Sequence, residues 1–284
     1  MSNMNSMLVT SEHLKQFDEH GYFILPSIIS QEHLQMMNEI IQRAIAKRDE
    51  DLKNEVNKDG LIQCSTDGKY FFFMHEDHEP QMKKIIFSSY MEQITKAILG
   101  EKVYYTHSEI VVKRGEGEKR DFGERTKFSW HQDSGYVPYK HTPYLSCWCA
   151  LTEMTSTNGT ISVLPIERNP PEDKDHHINW SGKPRPSAHI KFPCYQHRKD
   201  ESSPDLIGYF GTDQGVEVTC PAGSIVVFSS LTLHCSSANR SNTLRSAYNV
   251  QYGAVPLMSE DNQSFRHKAD PFIVQSETID ETNQ

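Results

Sequence analysis

The chain has 284 residues, enough for one large β domain or two ordinary ones, and 29 basic against 38 acidic side chains give a net charge of −9. An acidic chain is a poor match for nucleic acid or an anionic membrane surface, so neither is expected as a partner. No apolar run reaches the roughly 20 residues that span a bilayer, and the opening MSNMNSMLVTSEH lacks a basic start and an apolar core; a cytoplasmic protein is expected.

In chain order, Thr10 is placed to cap a short helix carrying Leu14 and Phe17, which Gly21 closes. Residues 22–25 read as a short strand before Pro26. Ser30 opens a longer helix with Leu34, Met37, Ile41, Ala44 and Ile45 on one side. Met82, Ile85, Ile86, Tyr90, Ile94, Ala97 and Ile98 form a further helical stripe that ends at Gly100. Such stripes are expected to pack on a sheet.

From residue 102 the pattern becomes β-type, with strands expected at 103–112, 144–151, 160–164, 188–192, 216–220, 224–228 and 245–252. Pro221-Ala222-Gly223 is a tight turn between two of them. Helices followed by many strands indicate an α+β chain, mainly β, with a sandwich or barrel core. One domain is expected over 1–284, with mostly helical support in 1–100, the β core in 102–256 and a loose tail in 270–284. Two irregular segments, 113–129 and 168–186, read equally as lids over a site or as ordinary solvated excursions. The six cysteines, at 64, 147, 149, 194, 220 and 235, include no Cys-x-x-Cys pair and are expected to be reduced, with Cys147 and Cys149 pointing the same way into packing.

The chemistry concentrates in His131-Gln132-Asp133, His234 and Arg245. On a strand, residues two apart project to one face, so His131 and Asp133 would converge on one ion, with His234 delivered at the end of the 224–228 strand. Two imidazoles and a carboxylate suit Fe(II) and leave coordination positions open. The Arg245 guanidinium fits a carboxylate through two parallel hydrogen bonds, and Arg245, Ala247, Asn249 and Gln251 would share a strand face that is polar apart from Ala247. With 14 histidines in the chain, spacing alone is weak: His75-Glu76-Asp77 and His107-Ser108-Glu109 have the same form. Context separates them, because His75 lies in a charged stretch before a helix, where a surface or capping role is ordinary.

With these residues in place, the chain resembles the phytanoyl-CoA dioxygenase family of Fe(II)/2-oxoglutarate oxygenases over most of its length. The opening Phe17-x-x-x-Gly21-Tyr22-Phe23-x-x-Pro26, the run Trp130-His131-Gln132-Asp133, and Cys149-Ala150-Leu151 followed by Asn158-Gly159 and Leu164-Pro165 are similar to that family's motifs. So is His234-x-Ser236-x-x-Asn239-x-Ser241-x-x-x-Arg245. The resemblance implies a double-stranded β-helix (a cupin-like jelly roll) with flanking N-terminal helices. It implies Fe(II) at His131, Asp133 and His234, 2-oxoglutarate held by Arg245 and Ser236, and O2 as the oxidant. Members similar to ectoine hydroxylases carry Gln-Ser-x-x-x-x-Lys, which here reads His107-Ser108-Glu109-Ile110-Val111-Val112-Lys113. The serine of their Leu-Ser-Cys strand matches Ser146. His107 and Ser146 are therefore expected as cosubstrate contacts. Related halogenases have a small residue where this chain has Asp133, so the resemblance implies hydroxylation rather than halogenation; desaturation, epoxidation and ring formation use the same ligands and stay open.

After Leu164-Pro165 the family usually continues Gly-Ser-His, whereas this chain has Ile166-Glu167-Arg168, a departure on the expected substrate side. Arg120, Arg125, Glu167 and Arg168 in the two irregular segments point to a small polar or ionic metabolite, and the sequence is similar to tailoring hydroxylases of specialised metabolism. One candidate substrate is 7-deoxycylindrospermopsin, precursor of a sulfated guanidino alkaloid. Two other classes stay open: a non-catalytic cupin-like binding protein, which needs neither Arg245 nor Ser236, and an oxygenase acting on an acyl-CoA or carrier-bound substrate.

Overall fold

The computed structural model describes residues 7–53, 68–115, 126–170, 194–195, 197–200 and 205–274. Its helices are α1 (Ser11–His20), α2 (Gln31–Lys53), α3 (Lys83–Ile86) and α4 (Ser89–Leu99). The strands are β1 (Tyr22–Leu25), β2 (Lys69–Phe73), β3 (Tyr104–Lys113), β4 (Phe128–His131), β5 (Leu145–Ala150), β6 (Ile161–Val163), β7 (Arg198–Lys199), β8 (Leu206–Ile207), β9 (Val216–Glu217), β10 (Ile225–Ser229), β11 (His234–Ser236), β12 (Arg245–Gly253) and β13 (Asp270–Pro271). One sheet runs β1-β10-β5-β12-β3-β13, with β2 also on β3; the other runs β4-β11-β6-β9, and β7 pairs with β8. Two antiparallel sheets face each other with helices outside the larger, the expected jelly roll.

Period-two alternation sorts the larger sheet into its two faces. Cys147, Cys149, Ile225, Val227, Tyr248 and Val250 point outward into a cluster with Met37, Ile40 and Ile41 of α2 and Ile94 and Ile98 of α4. Trp148, Ala150, Val226, Phe228 and Ala247 point the other way, onto Ile161 and Val163 of the smaller sheet. Burying each of the large aliphatic side chains stabilises the fold by about 1.5–3 kcal/mol before entropy is counted. The helix ends follow local chemistry. The Thr10 side chain accepts the His13 N–H in a capping box, and Gly21 turns left-handed at φ 81° to close α1.

Several boundaries differ from expectation. The stripe 82–98 is two helices, because Phe87 leaves helical geometry and the Ser88 side chain accepts the Met91 N–H to start α4 afresh. β10 does not deliver His234: it ends at Ser229, the chain turns, and His234 opens β11 in the opposite sheet. β1 and β2, from the part expected to be helical support, both join the larger sheet. The expected loose tail begins with β13, where Asp270 and Pro271 pair with Tyr105 and Tyr104. The 188–192 strand, Arg120, Arg125, Cys64, residues 275–284 and most of the two irregular segments lie outside the described residues. The other five cysteines are unpaired. Among the described residues no helix is long and apolar enough to cross a membrane.

Candidate active site

His131, Asp133 and His234 meet at one buried point, with one ligand atom from each lying within 4.8 Å of the others. β4 and β11 are neighbours in the smaller sheet with His131 opposite His234, which sets the two rings 4.0 Å apart. His131 Nδ1 lies 2.7 Å from the Ser129 carbonyl oxygen and His234 Nδ1 lies 3.0 Å from that of Thr232. A carbonyl can only accept, so both Nδ1 atoms carry the proton and both Nε2 lone pairs are left free. These Nε2 atoms stand 3.9 and 3.7 Å from Asp133 Oδ1. Burial, then the neighbouring His234, holds His131 well below its ordinary pKa, so its ring is neutral.

Asp133 Oδ2, by contrast, is fully engaged: Ser146 Oγ donates to it at 2.5 Å and Gln251 Nε2 at 3.0 Å. Oδ1 is thereby aimed at the imidazoles. Between the two ligands, Gln132 turns the opposite way, donating through Nε2 to Leu231 O and accepting the Tyr195 N–H. β4 stops at His131 and Asp133 begins a short 3-10 turn, so the period of two survives only as far as the extended Gln132 backbone. Two neutral imidazole nitrogens and one carboxylate oxygen, with unfilled directions, fit a divalent transition metal.

The site opens into a cavity of about 870 Å³ whose floor is the inner face of the larger sheet. Strand register orders that floor in rows. Lys69, Lys113 and Arg245 form the first row across β2, β3 and β12, and Phe71, Val111, Ala247 and Ala150 the second. Phe73, Glu109, Asn249 and Trp148 form the third, and His107, Gln251 and Ser146 the fourth, beside Asp133.

The first row is a cationic end. Arg245 is 1% exposed and donates through Nε to the Gly159 carbonyl at 2.9 Å, with Nη2 on the same oxygen, while its guanidinium lies over Trp148. Nη1 is buried with no partner. Gly159 has φ +82°, and a side chain there would press on the Ser237 carbonyl, so glycine is needed to place that acceptor. Lys113 Nζ donates to Ser236 Oγ at 2.7 Å and to Ser237 O at 2.6 Å. Burial, then Arg245, pulls Lys113 well below its ordinary pKa, and burial brings Arg245 down to about 9. Two desolvated cations side by side, one with an unused N–H, are suited to a carboxylate.

The other expected site residues fall differently. Ser146 touches Asp133 and is a positioning residue for that carboxylate. His107 lies six residues from Lys113 on β3, about 20 Å along the strand. Its ring lies 4.9 Å from that of His267, tilted by 38°, and burial followed by His267 lowers its pKa to about 3. That position favours contact with a second molecule over contact with a cosubstrate anchored at Arg245. The Arg168 guanidinium is held on Asp213 and Glu167 on His20, so neither reaches the cavity. His75-Glu76-Asp77 is a 3-10 turn in which buried Glu76 accepts from Tyr105, Ser108 and Lys268, a structural role. Gln251, Glu109, Lys69, Phe71 and Phe73 also line the cavity. Only the shared strand face of Gln251 and the His-x-Glu spacing of Glu109 signalled any of these beforehand.

A jelly roll that gathers two imidazoles and a carboxylate beside a buried arginine is the architecture of non-haem Fe(II)/2-oxoglutarate-dependent dioxygenases. This chain belongs to the phytanoyl-CoA dioxygenase (PhyH) family, whose profile matches residues 17–247. It is 24% identical over 254 residues to an ectoine dioxygenase of Stutzerimonas stutzeri (strain A1501), covering 86% of this chain and 77% of that protein. It is 20% identical over 254 residues to a probable phytanoyl-CoA dioxygenase of Caenorhabditis elegans, covering 86% and 75%. In fold it is similar to EctD from S. alaskensis, solved with 2-oxoglutarate and 5-hydroxyectoine, at a TM-score of 0.62, 18% identity and coverage of 96% and 90%. It is also similar to SnoN, a non-heme alpha ketoglutarate dependent epimerase from nogalamycin biosynthesis, at a TM-score of 0.60, 14% identity and coverage of 86% and 80%.

Proposed function

We propose that this protein hydroxylates an unactivated C–H bond of a small polar metabolite in specialised-metabolite biosynthesis, using Fe(II), 2-oxoglutarate and O2. His131 Nε2, His234 Nε2 and Asp133 Oδ1 would hold the iron. Arg245, with Ser236 and Lys113, would hold the far carboxylate of 2-oxoglutarate. The observation that carries this reading is the pairing of three free donor atoms at one point with a buried, unpartnered Arg245 Nη1 on the same cavity floor. When bound, iron and 2-oxoglutarate supply an oxidant strong enough for a C–H bond, with succinate and CO2 as the co-products.

The chain's own residues position and shield. Ser146 and Gln251 fix the Asp133 carboxylate, the Ser129 and Thr232 carbonyls fix the ring tautomers, and the cation row orients the cosubstrate. Two relatives support a metabolite as substrate: one is an ectoine dioxygenase, and the other serves nogalamycin biosynthesis. The candidate substrate 7-deoxycylindrospermopsin, carrying a sulfate and a guanidino group, would suit a cavity lined by side chains of both charge signs.

Anaerobic addition of Fe(II) and 2-oxoglutarate is expected to give a visible metal-to-ligand charge-transfer band that Arg245→Ala weakens. No band, together with unchanged 2-oxoglutarate affinity in Arg245→Ala, would leave a cupin-like binding protein. A metabolite screen read out as succinate, followed by mass spectrometry for one added oxygen, identifies the substrate. Stimulation by acyl-CoA or carrier-bound compounds alone would move the reading to that class.

A further inference from the structure

Glu109 stands in the third row of the cavity floor, between the cationic end and the histidine row. It lines the cavity, and its one hydrogen bond among the described residues is a long contact from Asn249 Nδ2 at 3.5 Å. No lysine, arginine or histidine among the described residues forms an ion pair with it. The cations of the cavity bond to other groups: Lys113 to Ser236 and Ser237, Lys69 to Asp205 and the Lys127 carbonyl, Arg245 through Nε and Nη2 to Gly159, and Arg266 to the Tyr136 carbonyl. Burial, then the Asp133 carboxylate, raises the Glu109 pKa to about 7, so this enclosed group without a counter-charge is held as the carboxylate only when a bound cation compensates it, and otherwise takes up a proton.

The surroundings specify the compensating group. Phe73 is the direct cross-strand neighbour of Glu109, and Phe71 lies on the same face of β2, its ring nearly parallel to that of Phe73 at 6.2 Å and 9°. Tyr136 also lines the cavity. Aromatic faces beside a carboxylate attract organic cations through the ring quadrupole and through charge. Loading the site would not supply that charge, because Fe(II), the Asp133 carboxylate and the 2-oxoglutarate dianion together carry no surplus positive charge. An anionic cosubstrate on the adjoining rows makes a bare Glu109 less favourable still.

We propose that Glu109, flanked by Phe71 and Phe73, is the specificity-determining residue that recognises a positively charged nitrogen group of the substrate. The inference rests on the hydroxylase reading for the place of the metal and cosubstrate, and it narrows the substrate class to organic cations. The carboxylate is four residues from Lys113 on β3, about 13 Å along the strand. A cation bound here therefore lies towards the Asp133 side of the cavity and clear of the arginine anchor.

The test is calorimetric titration of the full chain, loaded with Mn(II) and 2-oxoglutarate, with n-butylguanidinium and with its neutral isostere n-butylurea. The cation is expected to bind about ten- to a hundredfold more tightly, the usual worth of a charged hydrogen bond. Glu109→Gln is expected to abolish that preference while 2-oxoglutarate affinity, measured on the same samples, stays as in the wild type. Phe73→Leu is expected to reduce the preference about two- to fivefold. Equal binding of the two probes to the wild type overturns the assignment, and so does a preference that survives Glu109→Gln. Should the glutamine variant lose 2-oxoglutarate as well, Phe73→Leu decides, and an unchanged preference there overturns the proposal. A retained guanidinium preference without a charge-transfer band on Fe(II) addition sinks the hydroxylase reading alone; the reverse pattern sinks only the role of Glu109.

Discussion

Around Asp133, the atoms turned away from the metal point have protein partners: Oδ2 is bonded to Ser146 and Gln251, and both histidine Nδ1 atoms to carbonyls. Elsewhere on the cavity floor several atoms have no such partner. Arg245 Nη1, Asn249 Oδ1 and His107 Nδ1 are buried without partners, and Glu109 has one long contact. Buried polar groups are ordinarily satisfied, so the contrast separates atoms that the fold has locked from atoms that await a ligand. The locked set defines geometry before anything binds. The unsatisfied set marks where molecules arrive, with a cationic row for an anion and an aromatic-acidic row for a cation.

That contrast can be broken by experiment, most strongly at the metal point. Asp133→Ala should lower Mn(II) affinity, measured by calorimetry, by more than the roughly 10- to 100-fold that loss of an outer-shell partner costs. Arg245→Ala should weaken 2-oxoglutarate binding by about 2–3 kcal/mol, or roughly 30- to 150-fold, with metal affinity nearly retained; an equal loss in both would show that the two sets are one unit. Ser146→Ala, which removes one of the two donors to Asp133 Oδ2 and leaves Gln251 in place, should reduce metal affinity by about tenfold, the low end for an orienting group, and leave 2-oxoglutarate affinity of the loaded enzyme within about twofold. Gly159→Ala should lower stability by about 1–3 kcal/mol, because its positive φ disfavours a side chain, and should weaken 2-oxoglutarate binding by shifting the carbonyl that holds Arg245. Thr10→Ala removes only a helix cap far from the cavity. It should cost about 1 kcal/mol in denaturant melts and change neither affinity.

Much of this was legible because it depends on neighbours in sequence. The Thr10 cap, the Gly21 stop, the outward pairing of Cys147 with Cys149 and the shared face of Arg245, Asn249 and Gln251 all follow from contacts or alternation within a few residues. β2 was missed although Tyr70-Phe71-Phe72-Phe73 after Gly68 is a β-type run: Lys69–Phe73 is a short edge strand whose partner begins at Tyr104, so only distant pairing makes it part of the sheet. The partners of Arg168 and Glu167 were not legible for a similar reason, since Asp213 and His20, which hold them, are distant in sequence.

By itself the sequence determined the mainly β class, the His131–Asp133 spacing and the strand face that carries Arg245, all consequences of period two, capping and turn chemistry. The tertiary structure decided the rest. It brought His234 to His131 from a separate strand of the smaller sheet, set Gln251 and Ser146 on Asp133, and aligned Lys69, Lys113 and Arg245 in one row and Phe73, Glu109 and Asn249 in another. These juxtapositions depend on register between strands that are mostly tens of residues, and in places more than a hundred, apart. Register is set when whole hydrophobic faces are buried together, as Cys147, Val227 and Val250 are beneath α2 and α4, and no short stretch of chain contains that information.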